Sequence, residues 1–210
     1  MRGIKLLTVV SVLIFLCFIL LAVIDNAFGW IPDIVSFIVI VVFLYFTRVF
    51  WRLKPLVLTV LVFGLVLHCA GVFGWYGSSP LPVQWDHVSH FFGSLPFALL
   101  FWGFFSQFMD EKFFTKKNLV LVVLVFFASY GVCAFVELVE FIGYLKLGFG
   151  QHGALFFGVG DSVPVDFKLM DIVGGGWINE GWDLVYNTIG ILTGLAIMFS
   201  LDLVKRFFKN

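Results

Sequence analysis

Seven polar side chains stand inside runs that are otherwise apolar: Asp86, His87, His90, Glu137, Glu140, Asp183 and Asn187. Carboxylates and imidazoles are the side chains that transfer protons and hold divalent metals. A charge in hydrocarbon costs about 2.5–3.5 kcal/mol even on the gentler scales, so such residues persist there with partners or a task. Asp86 and His90 are four apart and share a helical face, which Gly93 and Phe97 continue; His87 flanks that stripe. Glu137 and Glu140 are three apart, and Asp183 and Asn187 four apart. Gly190 and Gly194 extend the last stripe as a small-xxx-small pair, so the polar face runs on into a helix-packing face.

Three chemistries suit this set. The first is a divalent metal such as zinc, with His87, His90 and Glu137 or Glu140 as ligands and Asp86 orienting an imidazole from behind. A water acidified by that metal would attack a phosphoester or acyl bond in a lipid headgroup. Asp86 and Glu140 are then the catalytic candidates, and Asp183 with Asn187 positions the substrate. Against it, His-x-x-His sets the two rings about 300° apart on the helical wheel. The second is a hydrogen-bonded clamp that fixes helix register without chemistry. The third is a proton or solute pathway, disfavoured because the other halves of the same spans are almost wholly apolar. The chain has no Gly-x-Ser-x-Gly elbow, no phosphate loop ending in Gly-Lys-Ser/Thr and no His-Glu-x-x-His.

The elements that must position these residues are membrane spans. With 61% hydrophobic and 12% charged residues, the chain lies far from the roughly 25% charge of soluble domains. Apolar runs at 4–24, 34–51, 56–75, 85–108, 118–144 and 181–204 predict an all-α, polytopic membrane protein of six spans forming one domain. Arg2, Lys5, Arg48, Arg52, Lys54, Lys112, Lys116, Lys117, Lys205, Arg206 and Lys209 fall on one side of such a bundle, and Lys146 and Lys168 on the other. That asymmetry places both termini in the cytoplasm of a multi-pass plasma-membrane protein. The alternative, that residues 1–27 are a cleaved signal peptide, is disfavoured by an apolar run longer than a usual signal core. All seven polar residues then lie within roughly 10 Å of the outer boundary, where membrane lipids are the expected partners. A net charge of zero and the lack of a basic block exclude a nucleic-acid footprint.

Cys17, Cys69 and Cys133 are isolated in apolar runs and read as packing residues. His68 reads as an imidazole bonded to a nearby backbone carbonyl, and His152 as solvated. The segment 145–180 is long, rich in glycine and yet carries apolar stretches, which predicts a lid or re-entrant element over the polar cluster. Asp161, Asp166, Asp171 and Glu180 read first as its solvated charges, with headgroup or ion contacts as the alternative.

The order Asp86-x-x-x-His90-Phe91-x-Gly93, Glu137-x-x-Glu140 and Asp183-x-x-x-Asn187-x-x-Gly190-x-x-x-Gly194 resembles two related groups. One is the YjdF-like family of inner-membrane proteins. The other is the VanZ-like membrane family, whose named member is linked to teicoplanin resistance. The resemblance covers about residues 65–200 and implies a shared polar cluster without naming its reaction. His87 stands where a Lys or Arg is expected, and Glu140 where VanZ-like chains tend to carry Gln.

Overall fold

A computed structural model describes the backbone of residues 2–112, 114–147 and 175–207. Among these residues the chain is helical, with no strand. Six α-helices follow in order: α1 Arg2–Ile24, α2 Ile31–Phe46, α3 Pro55–Cys69, α4 Trp85–Phe105, α5 Lys116–Leu147 and α6 Gly175–Phe207. Short 3-10 turns, Phe28–Trp30, Ala70–Phe73 and Ser106–Phe108, lengthen α2, α3 and α4. All six are long and apolar enough to cross a membrane, the shortest spans having 19 residues. At 1.5 Å per residue that is ~28 Å, close to the hydrocarbon thickness of ~30 Å.

The termini of these helices follow from local chemistry. Pro55 opens α3, where its missing N–H costs nothing. Asn26 closes α1 in the left-handed conformation, φ 56°, while Ala27 N–H bonds back to Ala22 and Asn26 N–H to Val23. That is a Schellman cap, and Asn is among the few side chains that accept its backbone angles. Arg52 closes the turn after α2 in the same way, with φ 50° and Leu53 N–H on the Arg48 carbonyl.

α4 is the central helix, packed on α3, α5 and, most extensively, α6. Glycines make the approach close. A methyl on Gly190 would collide with Ser94 Oγ and the Phe91 carbonyl, and one on Gly194 would stand 2.8 Å from Ala98 Cβ and from the Leu95 carbonyl oxygen. A methyl on Gly64 of α3 would stand 2.5 Å from the Phe92 carbonyl oxygen. That carbonyl is also the one that buried Pro96, lacking an N–H, leaves without its helical donor. Trp102 Nε1 donates to Asp202 Oδ2 at 3.2 Å, pinning the other ends of α4 and α6. Large apolar side chains such as Leu13, Val39, Phe135 and Leu192 point outward, which suits lipid and not water.

Several boundaries differ from the sequence reading, α2 among them, which covers Ile31–Phe46 where 34–51 was expected. α5 runs to Leu147, and α6 begins at Gly175, before the expected residue 181, so Glu180 belongs to a helix. The expected lid falls largely on 148–174, and with His152, Asp161, Asp166 and Asp171 it lies outside the described residues.

Candidate functional site

Three helices deliver carboxylates to one imidazole. On α4, the four-residue spacing brings Asp86 Oδ1 to 3.0 Å from His90 Nε2. From α5, Glu137 Oε1 lies 3.3 Å from His90 Nδ1. From α6, Asp183 Oδ1 lies 3.5 Å from His90 Nε2. Asn187, one turn further along α6, donates through Nδ2 to Glu137 Oε1 and stands 3.4 Å from His90 Nδ1. Asp86, Glu137, Glu140, Asp183 and Asn187 are all buried, and His90 keeps 13% of its side chain exposed. Three carboxyl side chains, from three different helices, thus face one imidazole.

The donors lie close enough for ligation. One ligand atom from each of His90, Glu137 and Glu140 falls within 4.8 Å of the others; so do those of Asp86, His90 and Asp183, and those of Glu137, Glu180 and Asp183. Glu137 belongs to two of these groups. Its Oε2 is buried and makes no hydrogen bond among the described residues.

The structure therefore brings together Asp86, His90, Glu137, Glu140, Asp183 and Asn187, and leaves His87 apart. Its half-buried ring stacks on Tyr186 of α6 at 4.1 Å, with planes 13° apart. Being i+1 to Asp86, it sits about 100° round the helix from the stripe, and an aromatic partner holds it there. Glu180 joins the cluster buried, against the expectation of a solvated loop charge. Its place one turn before Asp183 becomes visible once α6 is extended toward Gly175.

A cavity of about 120 Å³, room for several water molecules, opens beside His90, Glu137 and Glu140. Gly93 and Phe97, the continuation of the α4 stripe, line it with apolar groups from α2, α3 and α5. His68 and Tyr76 also line it. His68, in the last turn of α3, meets side chains through both ring nitrogens: Nε2 lies 3.3 Å from buried Asp33 Oδ2, and Tyr76 Oη lies 2.8 Å from Nδ1. Asp33 escaped the sequence reading because α2 starts at Ile31, three residues before the expected span, so a residue read as lying outside the membrane is in a buried first turn. Trp30 packs on both rings at 5.4 Å, and Gly71 makes room for it, since a methyl there would overlap the indole.

Residues 6–202 match the model of a family described as "Predicted membrane protein (DUF2238)", and the chain belongs to that family. The matched region takes in most of α1 and all of α2, and with it Asp33, as well as the cluster on α4, α5 and α6. No curated protein and no solved structure matches the chain.

Proposed function

We propose that this member of the predicted-membrane-protein family holds a divalent cation, zinc being the first candidate, between His90, Glu137 and Glu140, and uses it to recognise or modify the headgroup of a lipid-linked or envelope component. The observation that carries the reading is Glu137 Oε2, buried in a cavity wall beside two other ligand-type side chains and without a hydrogen bond among the described residues. A buried carboxylate oxygen without a donor is costly, and a cation would satisfy it. Asp86 takes Nε2–H of His90 and fixes the ring so that Nδ1 faces Glu137, the carboxylate–histidine arrangement that orients metal ligands. Asn187 orients Glu137 through Oε1, and Asp183, fully buried, backs His90 on its Nε2 side. The cation supplies Lewis acidity toward a phosphoester or acyl oxygen. The charge asymmetry of the loops supports an orientation with both termini in the cytoplasm, and with it a cluster under the extracytoplasmic face of the plasma membrane. Kinship with the VanZ-like proteins belongs to the same reading.

The second reading is the clamp, favoured by one observation: both ring nitrogens of His90 face carboxylate oxygens, as suits an imidazolium donating two bonds. Elemental analysis of the purified protein by plasma mass spectrometry separates them. Near-stoichiometric metal in wild type, lost in His90→Ala and in Glu137→Ala, supports the cation site and leads to lipid hydrolase assays. Metal at background in folded wild type leaves the clamp.

A further inference from the structure

We propose that Asp33, His68 and Tyr76 form a second functional site on the same cavity: a general-base relay that takes a proton from a bound hydroxyl, either water or a headgroup alcohol. Three observations carry it. Asp33 Oδ2 lies 3.3 Å from His68 Nε2; with that carboxyl ionised, and so an acceptor only, a neutral ring carries its proton on Nε2 and offers Nδ1 as an acceptor. Tyr76 Oη lies 2.8 Å from Nδ1, and in that tautomer it donates to it. His68 and Tyr76 line the cavity that His90, Glu137 and Glu140 line, while Asp33 stays buried behind them.

The order of donors has one direction. A hydroxyl in the cavity donates to Tyr76 Oη, which accepts as readily as it donates. Its proton passes to Oη as the phenol proton passes to Nδ1 of His68, and the resulting imidazolium keeps its Nε2–H on Asp33. The bound oxygen is left as the nucleophile. It forms a bond to phosphorus or to an acyl carbon, and the departing oxygen recovers the proton from His68 through Tyr76. Trp30 and Phe37, with ring centroids 5.4 and 5.3 Å from that of His68, hold the imidazole edge-on in an apolar wall. The same Asp–His–hydroxyl logic activates nucleophiles on unrelated folds. This inference rests on the cation reading only for the group under attack; the relay stands on its own three residues.

Sulfonylation tests it without the natural substrate. With benzenesulfonyl fluoride, an activated phenol forms an O–S bond, fluoride leaves, and the proton goes to His68 Nδ1. Labelling rates at Tyr76 and at Tyr45, another half-buried tyrosine, are read by peptide mass spectrometry on the full-length protein in detergent. The relay predicts Tyr76 labelled about 100-fold faster than Tyr45, the scale of general-base catalysis. Asp33→Asn and His68→Ala should each remove most of that advantage. Equal rates at the two tyrosines in wild type, or wild-type labelling in Asp33→Asn, overturns the relay; the wild-type comparison decides if His68→Ala does not fold. Metal content measured on the same samples, before and after chelation, keeps the two proposals apart. Fast labelling in protein that carries no metal as purified upholds the relay while the cation reading fails. Stoichiometric metal with Tyr76 no faster than Tyr45 does the reverse.

Discussion

Asn187 of α6 hydrogen-bonds to Glu137 of α5 through Oε1, the same carboxylate oxygen that faces His90 Nδ1 on α4. One oxygen thus ties three helices at one depth. Asn187→Ala should cost about 0.6–2 kcal/mol, the range found for interhelical hydrogen bonds in membranes. Asn187→Asp should cost more, because it sets a second carboxylate on Glu137. Unfolding titrations in mixed detergent micelles would show it; an Asp variant as stable as wild type would remove this bond from the account of the bundle.

Glycine at 190 and glycine at 93 should respond oppositely to the same methyl group. At Gly190 the methyl meets Ser94 Oγ and the Phe91 carbonyl, so α4 and α6 must part, at about 1–3 kcal/mol. At Gly93 nothing lies within 4 Å, and the helix gains the preference of Ala over Gly, about 1 kcal/mol. Melting temperatures of Gly190→Ala and Gly93→Ala should move in opposite directions.

The two histidines of α4 should separate in metal content. His87→Phe keeps a ring against Tyr186 and should retain metal at the wild-type ratio, whereas His90→Ala should fall to background. Plasma mass spectrometry on both variants checks it. Equal loss in the two would return His87 to the ligand set.

How far the sequence disclosed this site depends on where each residue sits. Asp86, His90, Glu137 and Asp183 were legible because a charge within an apolar run has no cheap explanation. Glu180 and Asp33 were not, since each lies at a span edge, where charge is ordinary, and each helix begins earlier than its hydrophobic run suggests. His68 was visible but its partner was not: Asp33 lies 35 positions away, and only the packing of α2 and α3 brings them together. His87 shows the limit of spacing arguments, because a step of about 100° on the wheel decides between a cluster and an aromatic stack.

At the opposite end of the bundle, the α4–α5 turn should report pH. Lys117 Nζ hydrogen-bonds Asp110 Oδ1 at 2.8 Å and Thr115 Oγ1 hydrogen-bonds Oδ2 at 3.1 Å, and the ammonium holds this carboxyl below its ordinary value of 3.8. A lowered folded value means the contribution is complete above the ordinary value and lost as pH falls through the lower one. The group is exposed, so the effect is small. Melting temperatures of wild type and Asp110→Asn should differ slightly near neutrality and converge below pH 3.8; a gap that persists in acid would point to Asn118, whose Oδ1 also accepts from the Asp110 N–H.

The missing backbone bond at Pro96 divides α4 into two mechanical units. On one side of it lie Asp86, His90 and most of the α4 residues that line the cavity; on the other lie Phe97 and Trp102, the latter anchored on Asp202. A helix that already lacks one rung bends there more readily than elsewhere. The half bearing the imidazole packs closely on Gly64 and Gly190, and the other half is moored through Trp102. Proline in this place sets the weakest rung of α4 midway along its span, beside the stretch Gly93, Ser94 and Phe97 that lines the cavity.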